Sequence, residues 1–265
     1  MKSIILAAGE GQRLRPLTNN MPKCLVKLFG KSILQRQLET FQNCGITDIS
    51  LVKGFHEELI SIPKIKYFKN PDFSSTNMLH TLFCAKSEFT DDMIISYGDI
   101  IFKKHILEKL ISAKDDFSVI VDMNWYELWK LRFDDPLSDA ESLKIDDNGF
   151  ITDIGQKVTS LSEIEGQYIG LMKFSKKGLT LGINFYEHLL QLSKSGKNPL
   201  NPKISFEKSY MTDFLRGLIL NGHKIKAIPI QSDWLEVDSI SDYDLYTSKS
   251  HKTEINRFFD FSNEQ

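Results

Sequence analysis

The chain is 265 residues long, 41% hydrophobic, and carries a formal net charge of −2. That size suits one large α/β domain, or a domain with a small extension, and the near-neutral charge argues against general nucleic-acid binding. Cys24, Cys44 and Cys84 form no C-x-x-C pair, which speaks against a zinc site or disulfide framework and for a reducing, cytoplasmic setting.

Residues 2–8, apolar without a break from Ile4 to Ala8, predict a buried strand ending in Ala7-Ala8-Gly9. The run is too short for a signal peptide or a membrane span. A polar loop follows, with Gly11, Arg13 and Arg15, then Pro16, and later Pro22-Lys23. Gly9 and Gly11 carry no side chain, so backbone amides there can approach an anion closely. Arg13, Arg15 and Lys23 can neutralise several phosphate charges. The competing reading is a strand–turn–helix junction with solvated cations.

Further along, residues 32–44 have helical spacing, with Ile33, Leu34, Leu38 and Phe41 on one face and Gly45 as the stop. Strands are predicted at 48–53, 65–69 and 92–97, with a short helix at 56–60 and a longer one at 77–86. Alternation of strand and helix over the first hundred residues indicates a parallel sheet with right-handed crossovers. Ligands of such sheets gather beyond the carboxyl ends of strands, where Ala7-Ala8-Gly9 and Gly98-Asp99 both fall.

The second half is less regular. Residues 118–122, 143–145, 150–154 and 168–174 read as strands, the middle two joined by the turn at 146–149. Residues 125–141 are aromatic and charged without a clear period. Helices are predicted at 179–192 and 210–221, a loop at 194–203, a strand at 224–230 leading to 234–238, and a closing helix at 242–259. The expected division of the chain is a single domain, 1–265, with a nucleotide-binding half at 1–115, an acceptor-binding half at 116–245 and a C-terminal helix at 246–265.

Asp99 and Asp238 each follow an apolar strand. Two carboxylates brought together from distant sequence are hard-oxygen ligands for magnesium, although either aspartate alone is also a common turn or cap residue. Glu236 alternates with Asp238 and should share its face, which makes it a further candidate ligand. Asn77 opens a helix and can cap it or face a ligand, and Ser75 lies in the same loop. None of the six histidines stands in a nucleophile–base motif.

The opening segment does not fit the dinucleotide fingerprint, because Leu14 stands where the third glycine belongs, and the P-loop pattern is absent. Leu6 to Thr18 and Pro22 to Leu25 instead resemble the signature L-A-A-G-x-G-x-R-L-x-P-L-T…P-K-x-L of nucleotidylyltransferases, closest to the phosphocholine and phosphonate cytidylyltransferases. That resemblance implies an α/β fold, Rossmann-like, with a mixed, mainly parallel central sheet flanked by helices and a small acceptor-binding subregion. It implies CTP and Mg2+ as partner and cofactor, a small phosphonate or phosphate-ester acceptor, no membrane insertion, and a homodimer as in many relatives. The nucleotide would lie on Leu6, Ala7, Ala8, Gly9, Gly11, Arg13, Lys23, Ser75, Asn77 and Gly98, with Arg13 and Lys23 as the catalytic cations and Asp99 and Asp238 on the metal.

Acceptor contacts are expected from Asp122, Trp125, Arg132, Glu165 and Tyr168. Trp125, Tyr126 and Trp129 could cage a quaternary ammonium, but the i, i+4 spacing of the two tryptophans also fits an ordinary packed helix face. The expected reaction is CMP transfer from CTP with release of pyrophosphate. A sugar-1-phosphate nucleotidylyltransferase is the alternative, since it shares the first motif.

Overall fold

The computed structural model describes residues 1–262. Seven strands form a central sheet in the spatial order Lys226–Ile230, Phe117–Asp122, Gln167–Phe174, Met93–Tyr97, Lys2–Ala7, Ile49–Lys53 and Lys66–Lys69. Every neighbouring pair is parallel except the two made by Gln167–Phe174, which runs antiparallel to both its neighbours.

Strands buried on both faces need mostly apolar residues, and Lys2–Ala7 meets that need from Ile4 to Ala7. Ile5 and Ala7 face one core with helices Ile33–Asn43, Lys104–Ser112 and Trp125–Arg132. Ile4 and Leu6 face the other, with helices Met78–Phe83, Lys176–Ser193 and Met211–Leu220. Ser32 caps the first of these helices by accepting from the Gln35 amide.

Lys2–Ala7 lies between Ile49–Lys53, the next long strand, and Met93–Tyr97. The chain therefore winds away from Lys2–Ala7 in both directions, and a crevice opens between the carboxyl ends of Lys2–Ala7 and Met93–Tyr97. The Gly98 amide donates to the Leu6 carbonyl at 2.9 Å, so the two strand ends meet directly. Gly98 is required there, because an added Cβ would lie 2.6 Å from that carbonyl oxygen.

The structure adds elements that the hydrophobic pattern does not announce. Ile100–Phe102 pairs antiparallel with Trp234–Glu236, a ladder of three residues on each side. The 125–141 stretch resolves into helix Trp125–Arg132, a single turn at Pro136–Ser138 and the start of strand Glu141–Ile145. The closing helix is broken in two, Ile240–Thr247 and Lys252–Ile255. Helix 77–86 is shorter than its apolar spacing suggests, running Met78–Phe83.

Candidate active site

The crevice is a cleft of about 380 Å³ whose walls include Leu6, Ala7, Ala8, Gly9, Gly11, Arg13, Lys23, Asn77, Gly98, Asp99 and Asp238. Gly11 adopts φ +63 at the entry to the turn Gln12–Leu14, and its carbonyl accepts from Thr18 Oγ1 at 2.7 Å. A side chain there would be strained, and its Cβ would sit 3.0 Å from the Lys23 Cβ. The glycine thus lets the loop fold back onto the segment that carries Lys23.

Lys23 Nζ donates to Asp99 Oδ2 at 2.6 Å and to Asp238 Oδ1 at 2.5 Å. The two carboxylate oxygens are therefore no farther apart than the sum of those distances. Arg13 is ion-paired with the other oxygen of Asp238 and lies 3.9 Å from Asp139. Burial disfavours the charge on Lys23, but Asp99, Asp238 and Glu236 outweigh it and raise the ammonium above the usual lysine range. Burial also works against the Asp238 carboxylate, and here Lys23 and Arg13 prevail and hold it below the usual range.

The three-residue ladder brings these aspartates together. Asp99 immediately precedes Ile100–Phe102, and Asp238 follows Trp234–Glu236 by two residues. The Val237 amide donates to the Asp99 carbonyl at 2.9 Å, closing the ladder at the site. On the other side, Gln37 Nε2 donates to the Tyr97 carbonyl at 2.8 Å and to the Ile100 carbonyl at 2.6 Å, bracketing Gly98-Asp99. Gln37 is 1% exposed within the apolar stripe of its helix. A buried amide in that stripe was the sequence signal for this role, and the apolar spacing alone passes over it.

Other lining residues also escape sequence reasoning. Phe73, Thr76, Met78 and Thr81 form the wall beside Asn77. Their loop is shaped by Asn70, fully buried, whose Nδ2 donates to Thr76 Oγ1 and Thr81 Oγ1 at 2.9 Å each. Asn77 both lines the cleft and caps its helix, its Oδ1 accepting from the Met78 amide at 2.8 Å. Ser75 does not reach the cleft. It is exposed, and its hydroxyl donates to the Asp72 carbonyl.

Several expected acceptor contacts lie elsewhere. Asp122 is fully buried and accepts from Trp234 Nε1 at 2.8 Å and the Asn124 amide at 2.9 Å, so it holds the core rather than a ligand. Trp125 is 5% exposed and packs edge-on against Trp129, which in turn packs on Trp234. The helical spacing of these tryptophans reflects packing, and no ammonium cage forms from them. Arg132 is buried and bound to Asp242 and Glu236. Glu165 is engaged at the surface by Lys144 and the Ile145 amide. Tyr168 stands behind the cleft wall, its ring edge-on to Tyr97 at 5.8 Å. Glu236 faces the carboxylate cluster but is committed to Arg132 at 2.9 Å.

The donor set suits a hard cation. Asp99 Oδ1 is buried without a hydrogen-bond partner, and the Lys23 ammonium stands between two carboxylates. Among the described residues no group of three or more His, Cys, Asp or Glu side chains forms a complete metal cage. Two protein carboxylates leave coordination positions for phosphate oxygens, the usual way magnesium is held beside a triphosphate.

A glycine turn with convergent cations thus lies at the switch point, facing two carboxylates. A family model for the MobA-like NTP transferase domain matches residues 3–130. The chain is 41% identical over 260 residues to the CTP:phosphoglutamine cytidylyltransferase of Campylobacter jejuni, covering 94% of this chain and all of that one. It is 36% identical over 107 residues to the choline-phosphate cytidylyltransferase of Streptococcus pneumoniae, a match spanning 39% of this chain and 47% of the other. The solved CTP:phosphocholine cytidylyltransferase of Streptococcus pneumoniae shares the fold, with a TM-score of 0.69 at 20% identity over 96% of this chain and 98% of that one. The chain belongs to the nucleotidyltransferases and is a cytidylyltransferase, with the MobA-like NTP transferase domain matched in its first half. No helix among the described residues is long and apolar enough to cross a membrane.

Proposed function

We propose that this enzyme transfers CMP from CTP to the phosphoryl oxygen of a small phosphorylated acceptor of the phosphoglutamine kind, with release of pyrophosphate. The observation that carries the reading is the convergence of Lys23, Asp99 and Asp238 at the mouth of the glycine-lined cleft. Similarity over essentially the whole length to a phosphoglutamine enzyme supports the acceptor class. Burial of Trp125 and Trp129 removes the argument that those two rings cage a quaternary ammonium.

In this reading a non-bridging oxygen of the acceptor attacks the α-phosphorus, and the bond to the bridging oxygen of the β-phosphate breaks. An acceptor phosphate is already anionic, so no general base is needed, consistent with the lack of a histidine at the cleft. Asp99 and Asp238 would hold Mg2+, which neutralises charge on the triphosphate when bound. Lys23 then exchanges its carboxylate partners for the α-phosphate and stabilises the charge that develops as the bond breaks. Arg13, half-free at the surface, meets the β- and γ-phosphates.

The test is pyrophosphate release with each of the four nucleoside triphosphates against phosphoglutamine, phosphocholine, an aminoalkylphosphonate and hexose 1-phosphates. Turnover with CTP and phosphoglutamine is expected. Turnover confined to a hexose 1-phosphate would overturn the acceptor assignment.

A further inference from the structure

Arg132 was expected at the acceptor, yet its guanidinium side chain is only 1% exposed and points at the segment that carries Asp238. Its Nε donates to Asp242 Oδ1 at 2.9 Å and its Nη2 to Asp242 Oδ2 at 3.2 Å, a two-pronged contact. The same Nη2 reaches Glu236 Oε2 at 2.9 Å. Asp242 Oδ2 also accepts the backbone amides of Asp238 at 3.1 Å and Ser239 at 2.9 Å. One carboxylate oxygen thus joins a buried arginine to the main chain of a residue whose side chain faces Lys23.

We propose that Arg132 and Asp242 form a buried clip that positions the Asp238 carboxylate for metal–nucleotide binding. The proposal rests on the reading of Asp238 as a metal ligand. The strand before it ends at Glu236, and the Val237 amide makes the last bond to the Asp99 segment. Beyond that point, the Asp242 carboxylate holds the Asp238 amide, and Arg132 holds Asp242. A buried ion pair contributes little net stability compared with an apolar pair of the same volume. What the planar fork supplies is orientation: two parallel bonds fix the carboxylate plane, and with it the two amides on its far oxygen. Lysine, a point donor on a flexible stem, cannot reproduce this.

The clip sets the aim of Asp238 without touching the nucleotide, so its loss should be read in the metal dependence. Partners of metal-binding groups typically contribute ten- to a hundredfold in metal affinity. The test is a Mn2+ titration of the full-length protein followed by electron paramagnetic resonance in the presence of CTP. Asp242→Asn, Arg132→Lys and Asp238→Asn are compared with the parent chain, each below its own melting transition. Asp242→Asn keeps the side-chain shape and a carbonyl acceptor, so it reports even if Arg132→Lys does not fold. Asp242→Asn and Arg132→Lys are expected to weaken Mn2+ binding at least about tenfold, with metal-free CTP binding unchanged and kcat at saturating metal within about threefold of the parent. Unchanged Mn2+ affinity in Asp242→Asn, alongside a loss in Asp238→Asn, overturns the clip alone. So does a drop in kcat at every metal concentration with metal affinity intact, the mark of a merely structural role. Unchanged Mn2+ affinity in Asp238→Asn overturns the metal reading itself.

Discussion

Lys23→Ala separates binding from chemistry. The substitution removes an ammonium that is 13% exposed and makes two hydrogen bonds of 2.6 and 2.5 Å to opposed carboxylates. Its neighbours keep it charged through neutral pH, so the lost quantity is a fixed positive charge. A preorganised donor aimed at developing transition-state charge is worth about 2.7–4 kcal/mol, or roughly 10²–10³ in kcat. The ground-state loss is smaller. Arg13 still meets the triphosphate, and the freed carboxylates of Asp99 and Asp238 are available to a metal ion. CTP affinity should therefore fall by less than about tenfold, under about 1.4 kcal/mol. Steady-state pyrophosphate release gives kcat, and calorimetry with Mg2+ and CTP gives the affinity, after circular dichroism has shown that the variant folds. An affinity loss of two decades with kcat unchanged would mean that Lys23 binds ground and transition states alike, and would refute the role assigned to it.

Three further outcomes follow from the same geometry. Asp99→Asn removes a charge from a carboxylate with one buried, unpartnered oxygen, and should raise the Mg2+ concentration for half-maximal activity by about tenfold or more, read in a metal titration. An unchanged half-saturation point would count against metal binding at Asp99. Gly98→Ala should cost about 1–3 kcal/mol in urea unfolding, because its Cβ would press on the Leu6 carbonyl at 2.6 Å and on Ala7 at 3.1 Å; a variant as stable as the parent would contradict that contact. Burial, with help from Asp213 and Asp139 against a hydrogen bond to Thr212, pushes the Glu141 carboxyl up to about 7. The folded state then holds a proton that the unfolded chain releases near 4.5, so this group lowers stability as pH rises from about 4.5 to about 7, by at most ~3 kcal/mol. Thermal melts of Glu141→Gln across that range should show a flatter profile than the parent, and parallel profiles would refute the assignment.

Much of this was legible in the sequence because the governing signals are local. The strand Lys2–Ala7 is contiguously apolar from Ile4 to Ala7, and the glycine turn after it, with Arg13 and Lys23, is local too. The ladder that joins Asp99 to Asp238 was not legible. Trp234–Glu236 reads as strand, but Ile100–Phe102 is too short to show a period and the two lie more than a hundred positions apart. Three of the expected acceptor residues are engaged elsewhere, for a related reason. Trp125, Asp122 and Arg132 carry chemistry that suits either a ligand or a core, and burial decides between them. Asp122 found Trp234 and Arg132 found Asp242, partners that no spacing rule connects. The antiparallel insertion of Gln167–Phe174 into a parallel sheet is likewise set by tertiary pairing rather than by its own apolar pattern.

The arrangement also explains why the Asp238 and Glu236 carboxyls shift in opposite directions. Like charges brought together by a short ladder repel, and a buried carboxyl tends to take up a proton unless a cation offsets it. Asp238 has Lys23 on one oxygen and Arg13 on the other, and stays ionised. Glu236 is a quarter exposed, shares its arginine with Asp242, and faces Asp99 and Asp238; burial and those two charges push it up to about 7 despite Arg132. Lys23 thus stands as a shared counter-ion between Asp99 and Asp238. On the proposed reading, Asp99 and Asp238 would hold a metal ion that supplies the positive charge Lys23 gives them, and Lys23 would then be free to meet phosphate. A triphosphate arriving alone gives the lysine a new partner but leaves Asp99 and Asp238 facing each other. On that reading, the charge balance of the Lys23–Asp99–Asp238 cluster would favour a metal–nucleotide complex over either component alone.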